Sequence, residues 1–388
     1  MNKKLLFILI FIFSPSFLFG SQRSVALFED EKSNPVYAEN INKELIPAST
    51  VKVLTALIAV EKLGIDYQFS TKAFIDENNN LYIKGFGDPL FISEQIEKFC
   101  KNLAEITEKK EFNSLIIDQS FFSKSSINFQ GTKKLSLNPY DSPNNALAAN
   151  FNSVCFDKKQ NKYISCEKET PFISEILFLV KKSGLKKGRI PVTNEKNSNL
   201  LYPAYLIKHF LQNENIKFKG NIKLLNNETN TDLTEILNYK SDYTLKEIIE
   251  KMLFYSNNFI ANQLFLAIGA DKNGADIKKS QIYYNNYLAK NNIFATIVEG
   301  SGISRENKIS ASEMIKILKK FKPYYFLMKK DGKGNFYKTG TLSDVKNLCG
   351  YYRDTKNKIF LYSIFQNKSS KNPFNEFSFL KEKIKKDL

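Results

Sequence analysis

Three short clusters carry the residue types needed for acyl transfer through a serine. Ser49-Thr50-Val51-Lys52 sets a hydroxyl and an amine three positions apart at the head of an apolar run. Ser256-Asn257-Asn258 supplies a second hydroxyl and a carboxamide, and Lys338-Thr339-Gly340-Thr341 a second amine beside a small, strand-forming segment. On a helix three residues subtend about 300°, so Ser49 and Lys52 fall about 60° apart on one face, with the amine in reach of the hydroxyl. Burial and a second cation would favour a neutral amine able to accept the Ser49 proton. Lys338 offers that cation and suits a substrate's terminal carboxylate, with Thr339 adding a hydroxyl contact. Gly340 would let the strand backbone approach the substrate closely. A backbone N–H near Thr341 could join that of Ser49 as an oxyanion hole. Ser256 could relay a proton to the leaving amine, and Asn258 orient Lys52 and the substrate amide.

Each cluster also has a plain structural reading. Ser49 suits a helix N-cap, Ser256-Asn257-Asn258 a helix-breaking turn, and Lys338-Thr339-Gly340 a β-turn remnant. Their order, S-x-x-K then S-x-N then K-T-G, and the local context of each favour the chemical reading. Arg305 and Asp141 are further candidates for reading a charged peptide. Arg305 would equally serve in an ion pair, and Asp141 as a turn cap after Pro139-Tyr140. His209, the one histidine, sits in an amphipathic helical pattern. That disfavours zinc sites built on several histidines and leaves a Ser-His-Asp triad dependent on one residue. The chemistry calls for no metal and no organic cofactor.

The elements that position these residues alternate in character. Val25–Phe28 and Val36–Ala38 read as short strands, followed by a helix from about Ser49 to Leu63, apolar almost all round and stopped by Gly64. The long middle region, about Phe69 to Leu237, mixes strand-like pieces (Leu81–Lys84, Ser114–Asp118) with helical ones (about Ser93 to Lys109, Tyr202 to Asn213). Helices return at Leu245–Phe254, Phe259–Ile268 and Ser312–Phe321. Phe336–Leu342, Lys346–Arg353 and Lys358–Gln366 alternate like three strands of an antiparallel sheet.

With 388 residues, 43% of them hydrophobic and 33 of them Phe, the chain can bury a sizeable core. The formal charge of +17 invites a nucleic-acid reading, but the lysines are scattered rather than gathered in a stripe. A basic surface also suits an anionic wall polymer or membrane. Lys3-Lys4 followed by the apolar run Leu5–Phe13 and a small residue at Gly20 reads as an export signal over residues 1–20, with an uncleaved anchor as the alternative because Leu18 fits a cleavage site poorly. Among Cys100, Cys155, Cys166 and Cys349, the pair Cys155 and Cys166 flanks a turn-rich stretch and could bridge a hairpin; four buried thiols is the other reading. Phe374 to Leu388 reads as a last helix packed on the sheet, or as a peripheral contact with an anionic membrane.

The motifs together resemble the low-molecular-mass class C penicillin-binding proteins, the D-alanyl-D-alanine carboxypeptidase/endopeptidases. Beyond the three clusters, Gly85-Phe86-Gly87-Asp88-Pro89 resembles that family's G-x-G-D-P segment, and Ser142 to Asn152 its S-A-L-x-x-N-x-N stretch. Glu299-Gly300-Ser301-Gly302-Ile303-Ser304-Arg305 is similar to D-G-S-G-L-S-R. Lys338 to Leu342 with Gly350-Tyr351 is similar to K-T-G-T-L followed by A-G-Y. Glu299 stands where the family usually has Asp, and Cys349 replaces a small Ala.

The resemblance implies an α+β, transpeptidase/β-lactamase-like fold: an antiparallel sheet with helices, assembled from residues 21–68 and 238–388, with a mixed accessory domain inserted over 69–237. The stretch between Asn152 and Tyr202 is short, so the inner of the family's two nested insertions is reduced or missing. It further implies an exported serine DD-peptidase of the periplasm or cell envelope. Such an enzyme cleaves D-Ala-D-Ala, or a D-amino-acid cross-link, in peptidoglycan stem peptides, and is acylated at Ser49 by β-lactam antibiotics. The rival readings are a β-lactamase, for which no water-positioning Glu loop stands between Ser256 and Lys338, and a non-catalytic peptidoglycan-binding protein on the same fold. The sequence leaves open carboxypeptidase against endopeptidase activity, the stem-peptide diamino acid and the oligomeric state.

Overall fold

A computed structural model describes residues 22–30, 32–123, 127–134, 136–225 and 232–386. The signal segment expected over 1–20 lies outside the described residues. Strands β1 (Gln22–Glu29) and β2 (Pro35–Glu39) open the chain, and helix α1 (Lys52–Leu63) follows a short 3₁₀ turn, Ala48–Val51. The sequence predicted one helix from about Ser49; instead the tighter turn carries Ser49 and the α-helix begins at Lys52. Gly64 ends α1 at φ 88°, a conformation that favours glycine. Val53, Leu54, Ala56, Leu57, Ile58 and Ala59 are all fully buried, so α1 is the central post of the molecule. Truncating Leu54 to Ala would cost about 2–5 kcal/mol.

The chain then builds strands β3 (Gln68–Ile75), β4 (Leu81–Gly85) and β5 (Leu115–Asp118), with helix α2 (Ser93–Ile106) between the last two. Helix α3 (Ser198–Asn213) and strands β6 (Ile222–Leu224) and β7 (Thr234–Thr244) complete this region. The five strands form one mixed sheet in the order β6-β5-β4-β3-β7, antiparallel at β4-β3 and β3-β7 and parallel elsewhere. Where the sequence suggested a reduced inner insertion, three antiparallel strands lie side by side: Lys162–Ser165, Ser153–Lys159 and Lys187–Pro191. A Cys155–Cys166 disulfide staples this small sheet, while Cys100 and Cys349 are buried free thiols.

Helices α4 (Leu245–Tyr255), α5 (Asn258–Ile268), α6 (Ile277–Lys290) and α7 (Ala311–Phe321) follow, then strands β8 (Asn335–Leu342), β9 (Val345–Arg353) and β10 (Ile359–Asn367). These strands join β1 and β2 in an antiparallel sheet ordered β8-β9-β10-β1-β2, and a two-residue strand, Lys329–Lys330, flanks the start of β8. Helix α6 was not read from the sequence. The closing helix α8 (Pro373–Lys386) turns Phe377, Leu380 and Ile384 onto the outer face of the sheet, as the packing reading expected.

Buried apolar side chains fall into three clusters. One surrounds α1, α4, α5 and α7 and reaches the inner face of the sheet; a second fills the region between Ala73 and Tyr239; the third lies under α8. Phe69, Leu90, Phe122, Ile127, Phe129 and Ala146 belong to the first cluster although they come from the middle of the chain. No helix among the described residues is long and apolar enough to cross a membrane.

Candidate active site

The three clusters meet at one end of α1. In the 3₁₀ turn residues i and i+3 eclipse, so Ser49 and Lys52 stack directly rather than standing about 60° apart. The Lys52 Nζ lies 2.9 Å from Ser49 Oγ. Ser49 makes no cap hydrogen bond to α1, which removes its N-cap reading. The turn is held from both sides. Asn347 donates from Nδ2 to the carbonyls of Ile46 (2.8 Å) and Pro47 (2.9 Å), and the Ile46 N–H donates to Asn367 Oδ1 at 2.8 Å. Ala48, just before the serine, adopts a left-handed φ of 47°, a strained setting for a residue with a Cβ.

Lys52 is fully buried and donates to Asn258 Oδ1 at 2.8 Å and to the Ser301 carbonyl at 2.6 Å. Burial, and then the nearby Lys338 ammonium, hold its pKa well below the usual lysine range, with Glu299 opposing them. A neutral amine has two N–H bonds and one lone pair. Asn258 Oδ1 and the Ser301 carbonyl can only accept, so they take both N–H bonds. In that neutral form the lone pair is the one left for the Ser49 hydroxyl, 2.9 Å away, as a general base requires.

Ser256 and Asn258 sit where α4 ends and α5 begins. Ser256 takes a left-handed φ of 55° as the C-cap of α4, and Asn257 caps α5 by accepting the Ile260 N–H at 3.0 Å. This two-residue kink turns both functional side chains inward. The middle of the chain anchors α5 in turn: Asn144 Nδ2 donates to the Phe259 carbonyl (3.1 Å) and Gln263 Oε1 (2.9 Å), and Gln263 Nε2 to the Asn145 carbonyl (3.2 Å). Residue types alone did not reveal these anchors, since surface and buried amides look alike in a sequence.

Lys338 on β8 is 2% exposed and donates to Ser256 Oγ at 2.8 Å and to the Thr339 carbonyl at 2.8 Å. Desolvation brings its pKa down to about 8. An ammonium has three donors, so one stays available for a ligand carboxylate. The Lys329–Lys330 strand pairs only with Tyr337 and Phe336, so among the described residues no strand covers the edge of β8 from Lys338 to Leu342. That edge has the backbone pattern to take an extended peptide. Thr339 is half-buried and Thr341 exposed along it.

Gly340 serves a closer neighbour than the sequence suggested. A Cβ there would lie 2.6 Å from the Pro47 carbonyl oxygen and 3.1 Å from the Thr50 nitrogen. The missing side chain lets β8 lie against the nucleophile turn itself. Arg305 is exposed and turned to Asp344 (2.6 Å) and the Ser343 hydroxyl (2.8 Å). Asp141 is buried, with one carboxylate oxygen accepting the Lys133 N–H at 3.2 Å. A cleft of about 650 Å³ opens beside Ser256 and Asn258, walled by Tyr140, Phe151, Arg189 and Tyr255.

A sequence profile described as the D-Ala-D-Ala carboxypeptidase 3 (S13) family matches residues 15–172 and 189–337, well over half of the chain. The chain belongs to this family. The S13 match contains Ser49, Lys52, Ser256 and Asn258 and stops one residue before Lys338. The D-alanyl-D-alanine carboxypeptidase DacB of Haemophilus influenzae is 23% identical over 392 positions, covering 83% of this chain and 80% of DacB. A D-alanyl-D-alanine carboxypeptidase from Actinomadura sp. is 26% identical over 110 residues, 26% of this chain and 20% of that enzyme. Among solved structures, penicillin binding protein 4 of H. influenzae superposes with a TM-score of 0.74 at 21% identity, covering 91% of this chain and 92% of that one. A predatory endopeptidase from Bdellovibrio bacteriovorus, acylated with penicillin G, superposes with a TM-score of 0.54 at 17% identity, covering 94% and 90%. The S13 chain therefore shares the penicillin-recognising α+β fold that its motifs implied.

Proposed function

We propose that this S13 protein is a serine DD-peptidase that cleaves D-Ala-D-Ala in peptidoglycan stem peptides through an acyl-enzyme on Ser49. The observation that carries this is the buried Lys52 amine, 2.9 Å from Ser49 Oγ and bonded to the two acceptors Asn258 Oδ1 and the Ser301 carbonyl, so that in its neutral form the lone pair is left for the Ser49 proton. In the reaction Lys52 accepts the Ser49 proton as Oγ attacks the penultimate D-Ala carbonyl. The tetrahedral oxyanion is met by the Ser49 N–H and a β8 N–H near Thr341. Lys338 holds the terminal carboxylate, with Thr339 adding its hydroxyl, and keeps Ser256 polarised to relay the proton from the Lys52 ammonium to the departing amine, which leaves Lys52 neutral again. The C–N bond breaks, D-Ala leaves, and a water activated by Lys52 then hydrolyses the ester and restores Ser49. Gly340 contributes by bringing β8 against the nucleophile turn, and Arg305, exposed on the loop beyond Ser301, by reading a charged group of the peptide stem.

The accessory region, residues 69–237, stands in this reading as a domain inserted into a catalytic domain made of 21–68 and 238–388. The buried cluster between Ala73 and Tyr239, all but Tyr239 from these residues, supports that division. β-Lactams, which present an acyl group and a carboxylate in the same relation, acylate Ser49. Export across the membrane, through residues 1–20, follows from a substrate that lies in the cell wall.

The test is release of D-Ala from a peptide ending in D-Ala-D-Ala. Wild type releases it and Ser49→Ala does not; equal release by both proteins would refute the assignment.

A further inference from the structure

Glu299 is completely buried, yet it accepts hydrogen bonds from five donors of its own loop. These are the N–H groups of Ser301 (2.7 Å), Gly302 (2.7 Å) and Ser304 (3.2 Å), the Ser301 hydroxyl (2.6 Å) and the Asn307 carboxamide (2.7 Å). A buried carboxylate is costly unless its lone pairs are filled, and here they are. The loop it gathers is the one that brings the Ser301 carbonyl to Lys52 at 2.6 Å. Two further bonds fix its start: Asn262 Oδ1 accepts the Gly300 N–H at 3.0 Å, and the Thr55 hydroxyl donates to the Gly300 carbonyl at 2.8 Å.

We propose that Glu299 is a positioning residue for the serine chemistry: by gathering the 301–304 backbone it locks the Ser301 carbonyl onto Lys52 and so aims the lysine lone pair at Ser49. The proposal rests on the reading of Ser49 as the nucleophile. Its logic is the count of bonds around one nitrogen. With both acceptors in place, the neutral amine has one orientation that satisfies every partner. If the Ser301 carbonyl swings away, the amine can turn and donate to Ser49 instead, and in that orientation it cannot accept the proton. The sequence shows Glu299 only as a variant of the family's Asp; the backbone carbonyl it positions has no side-chain signature.

Glu299 also acts through its charge. The charged or titratable groups around Lys52 are Lys338 on β8 and Glu299 on the loop, with Tyr284 on α6 facing Glu299 and Cys349 on β9 facing Lys338. Lys338 disfavours the Lys52 ammonium and Glu299 favours it. Removing the Glu299 charge therefore leaves the amine neutral to lower pH.

The experiment is the rate constant for benzylpenicillin acylation, per folded site, as a function of pH for wild type, Glu299→Gln and Glu299→Asp. Glu299→Gln is expected to acylate roughly ten- to a hundredfold more slowly at its optimum, since small misplacements of a catalytic group cost about that much. Its acid limb is expected at lower pH than that of wild type. Glu299→Asp, which keeps the charge, is expected to hold the limb in place and recover most of the rate. A purely structural role would lower the folded fraction while leaving the rate per folded site and the limb unchanged, and that result overturns the proposal. If Glu299→Gln does not fold, Ser301→Ala removes one donor to the carboxylate and keeps the backbone. A several-fold slower acylation by that variant supports the proposal, and an unchanged rate overturns it. Wild type that fails to acylate at any pH would instead remove the nucleophile on which the proposal depends.

Discussion

A Cβ placed on Gly302 would lie 1.9 Å from the carbonyl oxygen of Ala48, the residue that precedes the nucleophile. Gly302 also holds φ at 82°, a region that other residues enter at a cost. The loop that carries the Ser301 carbonyl and the turn that carries Ser49 are therefore in backbone contact, and each fixes the other. Gly302→Ala should push the two apart. The expected result is a fall in benzylpenicillin acylation of at least about a hundredfold, read by stopped-time mass spectrometry. Unfolding should become easier by roughly 1–3 kcal/mol.

The two lysines should give the acylation rate a bell-shaped dependence on pH. Reaction needs Lys52 neutral and Lys338 charged. As pH rises the rate should climb while Lys52 loses its proton, well below the usual lysine range. It should fall again as Lys338 loses its charge at about 8. Lys338→Arg, whose guanidinium stays charged, should abolish the alkaline limb while lowering the maximum, because a planar fork cannot reproduce the bond to Ser256. An alkaline limb unchanged in that variant would detach it from Lys338.

Asp88 offers a test of stability. Burial raises its pKa to about 6, although its carboxylate accepts the Leu90 N–H at 2.8 Å. The folded state thus holds this proton to higher pH than the unfolded chain does. Its contribution to stability should be greatest at low pH and lost as pH rises from about 4 to about 6, by on the order of 2–3 kcal/mol. Asp88→Asn should remove that dependence and be the more stable protein at neutral pH. The measurement is the difference in urea unfolding free energy between the two proteins at acidic and neutral pH.

The Cys155–Cys166 bridge closes a short loop within the three-stranded sheet. Replacing both cysteines by Ser should cost about 2–3 kcal/mol by freeing that loop in the unfolded chain. Cleavage between 153 and 191 in limited proteolysis should become faster, with benzylpenicillin acylation unchanged. A large loss of acylation would show that the small sheet supports the catalytic centre.

The chemistry was legible because its parts are side chains at fixed spacing. Ser49 with Lys52, Ser256 with Asn258, and Lys338 with Gly340 are each local, and the fold brings the three together. What escaped was carried by backbone or by distant amides. The Ser301 carbonyl has no residue signature, and Asn347 and Asn367 support the nucleophile turn from strands some three hundred residues away. Helix α6 was missed because its sequence, rich in Lys, Asn and Tyr, shows little apolar periodicity. Its start was marked by Asp276, which caps the helix by accepting the Lys279 N–H at 2.7 Å. The onset of α1 was misjudged by one turn, since nothing in Ala48–Val51 distinguishes a 3₁₀ turn from an α-helix. Arg305 was legible as a candidate both for a substrate and for an ion pair; in the structure it pairs with Asp344, a contact that neither residue's neighbours announce.

Acylation at Ser49 is read from the intact mass of the mature protein after incubation with benzylpenicillin, beside Ser49→Ala treated identically. One stoichiometric adduct is expected on wild type, located to the peptide containing Ser49, and none on the mutant. Well-folded wild type that gains no mass, or a mutant that gains as much, would contradict Ser49 as the nucleophile.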